Sequence, residues 1–422
     1  MGAGLLSRGV SVRPLMPAAR LLAAGILVMG AALVALAEET PTAFSRDLAR
    51  LDASIARLAS ARPDESLLSL LYARAMLTGA PDDFRRVETG VAAALRDPSP
   101  PVSLICLHAQ LCLQQHRLPE ARRDIEHLAI ADLSPDIQNL QADLALQEGR
   151  YDEARRSCEA LLKSGPRWDA LARLASLHAL VGETARAGSL YAQAGDELTA
   201  KQMRAYAWIE VQSGLLALNH GRLAEAEGHY RRADQAYSGH WFVEEHLAEI
   251  LGAQRRFPEA IALYEKILAR TPRPEIQQAL GDLYVYMGRP DQAQLWHDQA
   301  LSGYLASAAR GEVQYFHHLA GFYADVRQDG PEAVKWARRD LELRSNFAAR
   351  DSLAWALFRS GKFAEARSAI ETALASGVRD AHVFYHAAMI GFASGQADEG
   401  RRFLEQVAAL NPRYADSFHV HR

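Results

Sequence analysis

Only three cysteines and five lysines occur in 422 residues. Three cysteines cannot build a disulfide scaffold. Cys106 and Cys112 stand six apart, about 9 Å along a helix axis, too far for a disulfide. Cys158 could in principle meet one of them, but small buried apolar side chains explain all three. Glycine (28) and proline (17) are too few for a collagen-like or low-complexity chain. No sign of charge dominates: 47 Lys+Arg face 51 Asp+Glu, a formal −4 that gives no reason to expect a nucleic-acid partner. The phosphate loop GxxxxGK[ST] is missing, as are HExxH, CxxC and GxSxG. Neither catalysis nor a cofactor is therefore expected. The apolar fraction of 49% is enough to offset ordering entropy, which excludes general disorder. By length alone, two or three domains are expected.

The N-terminus carries Arg8, Arg13 and Arg20 and no acid. An uncharged run follows from Leu21 to Ala37, ending Ala35-Leu36-Ala37 before Glu38. A basic start, an apolar middle and a small-x-small end form a secretory signal peptide over residues 1–37. Retained, the same run sits at the lower limit of a spanning helix, about 17 residues. It would then anchor the chain in an inner membrane, facing the periplasm, and that is the only membrane contact expected. Met16 could serve as the start in place of Met1. Cleavage removes three arginines and no acid, taking the formal charge from −4 to −7. The signal form and the Ala/Arg-rich composition point to a bacterial periplasm.

A short turn signature recurs through the rest. It reads HRLPEA at 116–121, GRYDEA at 149–154, GETARA at 182–187 and GRLAEA at 221–226. It returns as RRFPEA at 255–260, GRPDQA at 288–293, DGPEA at 329–333, GKFAEA at 361–366 and GQADEG at 395–400. The final small residues are spaced 33, 33, 39, 34, 33, 40, 33 and 34. Twelve residues before each stands Ala or Gly: Ala109, Ala142, Ala175, Gly214, Ala248, Gly281, Gly321, Ala354 and Ala388. Each unit thus reads as helix, short turn, helix, with small residues where two backbones approach. Four residues past the turn, Ile125, Tyr191, Tyr230, Tyr264, Ile370 and Leu404 are expected to pack the second helix. A degenerate unit around Ala75 and Val87 precedes these nine. The two long spacings place insertions near Leu198–Ala205 and Tyr304–Glu312.

This pattern resembles the tetratricopeptide repeat family, a 34-residue helix–turn–helix with small residues in both helices and a late proline. Pro166, Pro272 and Pro412 fit that last feature. The family's early tryptophan is missing in every unit. The resemblance implies an all-α solenoid, a right-handed superhelix of about ten repeats over residues 68–414. Residues 38–67 form an N-terminal capping region, where Phe44, Leu48, Leu51, Ile55 and Leu58 make one apolar helical stripe. Residues 415–422 are a tail.

In this family first helices line the concave face, where partner segments bind. Four inner positions per unit follow, at 18, 15, 11 and 8 residues before the small turn residue. These 36 positions hold nine acids and no Lys or Arg. The acids gather centrally, at Glu245, Glu249, Glu275 and Asp282, with Asp325 following. The aromatics gather late, at Tyr315, Phe322, Trp355, Phe358, Tyr385 and Phe392. The expectation is a non-catalytic groove for a protein or peptide carrying basic and apolar residues. An alternative is that the aromatics pack between helices and the acids face solvent. A membrane-tethered assembly subunit is a second reading. A third is a metal site or enzyme using His382 and His386, spaced i,i+4 with no third ligand evident; no metal is expected.

Overall fold

The computed structural model describes residues 41–58, 65–131 and 134–416. The expected signal segment and most of the tail lie outside the described residues. The chain divides between Thr42 and Ala43, and every described helix belongs to the second part. Those helices number 21, and no strand occurs among the described residues. None of them is long and apolar enough to cross a membrane.

After the single helix Ala43–Leu58 come ten helix pairs, units 1 to 10. Unit 1 is Glu65–Thr78 with Pro81–Ala94, and unit 2 is Val102–Gln114 with Leu118–Ala131. Pro135–Gln147 and Tyr151–Leu162 form unit 3; Trp168–Leu180 and Thr184–Asp196 form unit 4. Unit 5 is Met203–Leu218 with Leu223–Ala236, and unit 6 is Trp241–Ala253 with Phe257–Arg270. Unit 7 is Pro274–Tyr286 with Pro290–Ala309. In unit 8 the first helix Phe316–Gly321 runs into a π-helical turn, Phe322–Val326, before Gly330–Leu343. Phe347–Arg359 with Phe363–Leu374 and Ala381–Ala393 with Ala397–Leu410 complete units 9 and 10.

The small residues do what their spacing implies. Ala109, Ala142, Ala175, Ala248, Ala354 and Ala388 are fully enclosed. At Gly214 and Gly281 an added Cβ would run into the rings of Tyr230 and His297 of the paired helix. Gly321 is the exception, with open space beside it where unit 8 goes over to the π turn. Ile125, Tyr191, Tyr230, Tyr264 and Ile370 are buried, whereas Leu404 is 36% exposed. Leu404 belongs to the last unit, and no later described helix covers it. The first insertion lengthens the first helix of unit 5, Met203–Leu218. The second lengthens instead the second helix of unit 7, which runs for 20 residues.

Six units complete one superhelical turn, and the next turn rests directly on it. Most hydrogen-bonded partners across this seam lie 190 to 199 residues apart. Ala43 N–H donates to Ser238 Oγ at 3.1 Å, Arg273 to the Gly79 carbonyl at 3.2 Å, and Phe347 N–H to the Tyr151 hydroxyl at 2.9 Å. Arg379 N–H likewise donates to the Leu180 carbonyl at 2.8 Å. The intra-unit turns of the first superhelical turn meet the inter-unit linkers of the second. The capping stripe is shared accordingly. Ile55 and Leu58 pack with unit 1, while Phe44, Leu48 and Leu51 join the core of units 5 and 6. Tyr237 fastens this join by donating to Asp47 at 2.8 Å.

Candidate functional site

The inner positions are not a uniform acidic face, because neighbouring cations fold back onto them. Asp143 takes a bidentate pair from Arg173, both bonds 2.7 Å. Asp169 takes another from Arg167, at 3.1 and 2.9 Å. Among the central acids, Glu275 accepts from Arg273 Nε at 2.6 Å, and Asp282 lies 2.8 Å from His297 Nε2. Glu245 and Glu249 are half-buried in unit 6. Fixed charge is thus compensated at Asp143, Asp169 and Glu275 by arginines one or two positions off the inner register, while Asp282 faces a histidine. The 36-position count missed these arginines for that reason.

The late aromatics do come together. The Trp355 ring stacks on Phe358 at 4.9 Å and lies 6.3 Å from Tyr385. Its other neighbour is His386, stacked at 4.2 Å and 11°. Trp355 Nε1 donates to Asp325 Oδ1 at 2.9 Å, so the indole is clamped between units and only 5% exposed. Phe322 is wholly enclosed and packs against Tyr304 and His297. Both rings are therefore buried between helices. Phe358 and Tyr385 are half-exposed, and Phe392 is 37% exposed. Together with half-exposed Met389 they leave apolar surface on units 9 and 10. The Asp325 carboxylate and the Arg359 guanidinium, whose Nε donates to the Ala324 carbonyl at 2.9 Å, sit at its edge.

His382 and His386 have neighbours that the i,i+4 spacing did not show. Asp351 Oδ1 of unit 9 lies 2.9 Å from His386 Nδ1, and the Tyr414 hydroxyl lies 2.9 Å from His382 Nδ1. Asp351, His382 and His386 place their ligand atoms within 4.8 Å of one another. Asp351 comes from the preceding unit, 35 residues earlier, so no local motif could reveal it. A second cluster joins His108, Cys112 and Asp124. Here His108 bridges, with Nδ1 2.6 Å from Asp124 and Nε2 3.5 Å from Cys112. The hydrogen bond to Asp124, aided by Cys112, raises the His108 pKa to about 10. The Cys112 thiol is fully enclosed, which leaves no path for a substrate. All three cysteines are free thiols.

Paired helices in register, each closed by a left-handed turn residue, define a helical-hairpin solenoid. The tetratricopeptide repeat family model matches residues 106–159, 139–198 and 352–415. Over residues 106–198 and 352–415 the chain carries tetratricopeptide repeats. Among solved structures it is similar to a tetratricopeptide repeat protein from Parabacteroides merdae. That likeness has a TM-score of 0.41 and 13% identity, covering 61% of this chain and 98% of the other. It is also similar to the APC/C hetero-tetramer Cut9–Hcn1, with TM-score 0.42, 15% identity, and 89% and 80% of the two chains covered. MamA aligns with TM-score 0.33 and 20% identity over 40% of this chain and 96% of its own. No curated protein matches the chain.

Proposed function

We propose that this chain is a non-catalytic scaffold that holds a segment of a partner protein on the inner face of units 9 and 10. Tetratricopeptide repeats point to protein–protein interaction. The observation that carries the finer reading is the half-exposed run Phe358, Tyr385, Met389 and Phe392, with Asp325 at its edge. Aromatic side chains of this kind make interface hot spots. A partner segment with apolar anchors and a flanking Lys or Arg fits it, the cation supplying register and encounter rate more than affinity. The N-terminal pattern of Arg8, Arg13, Arg20 and Leu21–Ala37 supports placing this activity in an exported compartment.

The test is crosslinking in intact cells, followed by affinity measurement with the recovered partner. Phe358→Ala with Tyr385→Ala is expected to weaken binding at least tenfold, about 1.4 kcal/mol. Glu245→Lys with Glu249→Lys is expected to act mainly at low salt. Unchanged affinity in the aromatic variant would rule out units 9 and 10. The mass of the mature protein decides the address: a chain beginning at Glu38 excludes a retained tether.

Asp351 gives the metal reading its missing third ligand. Zinc titration of purified protein tests it, with His382→Ala as control. No saturable binding removes this reading.

A further inference from the structure

The seam between the two superhelical turns encloses a cavity of about 470 Å³. Units 1 and 2 form one wall, and Trp241, Arg273 and the linker and first helix of unit 8 form the other. That volume lies in the range of small-molecule sites, roughly 300–1,000 Å³. Its charged groups are mostly spoken for. Arg273 pairs with Glu275, and Glu312 accepts from Arg310, Arg85, Ser307 and Gln314. Burial opposes ionisation of Glu312, yet these donors pull its pKa down to about 2.

One arginine differs. Arg117 uses only Nη1, which lies 3.2 Å from both Glu88 and Glu120. Its Nε and Nη2, the bidentate edge of the guanidinium, are enclosed and have no hydrogen-bond partner. Four more enclosed polar atoms without a partner belong to residues lining the same cavity: Gln115 Oε1, Trp241 Nε1, His318 Nδ1 and Glu275 Oε2, the last an acceptor for a donor rather than for an anion. Burial holds His318 neutral, with a pKa pushed down to about 4. Buried polar atoms in native proteins nearly always have partners. Six without one, on residues around a single cavity, mark a place where a partner belongs. The lining carries Arg85, Arg117, Arg273 and Arg310 against Glu88, Glu275 and Glu312, an excess of one positive charge.

We propose that this cavity binds a small organic monoanion, a carboxylate that also carries a hydroxyl or amino donor. The carboxylate takes the Arg117 Nε/Nη2 edge in the bidentate geometry that guanidinium favours. The donor reaches Gln115 Oε1, and the Trp241 indole N–H supplies a further contact to an acceptor. A free metabolite or the C-terminal residue of a peptide can present this chemistry. The exposed Arg310 and Gly311 mark its open side. Because the walls come from both turns, such a ligand binds only when the seam is closed and so stabilises it. The site is separate from the inner face of units 9 and 10, and neither proposal depends on the other.

The experiment is calorimetric titration of the purified chain with lactate, serine, a short peptide with free or amidated C-terminus, and inorganic phosphate. Hydrogen exchange is followed in parallel. Saturable binding of lactate or serine, at least tenfold weaker in Arg117→Lys and in Gln115→Leu, is the expected result. Arg117→Lys keeps the charge and the ion pairs but loses the planar edge, so it separates recognition from folding. Slowed exchange at both Gly79 and Arg273 on ligand addition would accompany it. Binding by the free-terminus peptide alone assigns the carboxylate to a peptide end. Binding of phosphate alone, equal binding by the Arg117→Lys variant, or no heat with any probe at millimolar concentration overturns the proposal and leaves the cavity to ordered water.

Discussion

Five residues before each small turn residue of units 2 to 10, the backbone takes positive φ without exception. Glycine occupies six of those nine places. His116, Arg255 and Gln328 hold the other three, at φ of 56°, 61° and 53°. An L residue pays about 1–2 kcal/mol for this conformation, partly offset by the entropy glycine loses on folding. Arg255 is exposed, so Arg255→Gly is expected to raise stability by about 0.5–1 kcal/mol. Urea unfolding with an unchanged m-value checks it. A loss would mean that the guanidinium, 5.6 Å from the Tyr286 ring centroid, contributes more than the strain costs. Two histidines make stability depend on acid. Burial pushes His240 and His318 down to about 4, below the unfolded value of about 6.5. The unfolded chain takes up protons in that interval that the folded chain refuses. Their contribution is therefore full above about pH 6.5 and lost as pH falls toward 4. His108, raised to about 10, acts oppositely, its contribution full below about 6.5 and lost as pH rises through 10. Melting temperatures taken between pH 6.5 and 4.5 should fall less steeply in His240→Gln with His318→Asn. An identical slope would show that carboxylates alone set the acid limit.

At the scale of the element, the capping helix Ala43–Leu58 shows what periodicity can and cannot reveal. Its stripe of Phe44, Leu48, Leu51, Ile55 and Leu58 is legible as one apolar face. That the face serves two partners more than 100 residues apart is not legible, since a stripe names no neighbour. Tyr237, the residue that ties the join, sits in a linker with no repeat signature. Tyr237→Phe removes the hydrogen bond to Asp47 and is expected to cost about 1 kcal/mol. Faster exchange in Ala43–Leu58 than elsewhere is the readout, and uniform exchange would deny the join. The same limit explains the other departures. The small residues and turn signatures recur because each unit must pack on its neighbour, so they can be read from one period. Asp351, Arg173 and Arg273 contribute across units or turns, where no period applies. The π turn Phe322–Val326 occurs in one of the three units whose turn lacks its usual glycine, and the one whose Gly321 has open space beside it. Its freed Ala324 carbonyl is taken by Arg359, a contact that only the folded geometry supplies.

At the scale of the molecule, the question is whether the two superhelical turns hold one another or merely coexist. An open solenoid is a sum of nearest-neighbour interfaces, whereas a seam couples units six apart. Two glycines separate these cases cleanly. Gly149 and Gly361 occupy equivalent turn positions at the same φ of 74°. An alanine Cβ at Gly149 would lie 3.0 Å from the backbone oxygen of Ser345 in the second superhelical turn. At Gly361 it would meet nothing within 4 Å, since no later described unit rests there. The same contrast sets Gly79, Gly182 and Gly221, each approached by the next turn, against Gly288 and Gly395, which face open space. Both alanine variants carry the same left-handed strain, about 1 kcal/mol. The excess cost of Gly149→Ala over Gly361→Ala is therefore a measure of the seam alone. We expect that excess to be about 1 kcal/mol, in line with the cost of overpacking, and to bring faster exchange in Phe347–Arg359. That helix is nearly 200 residues from the substitution, and in an open array it would not respond. Equal costs, with Phe347–Arg359 undisturbed, would mean that the turns do not touch in solution and that the cavity between them has no second wall.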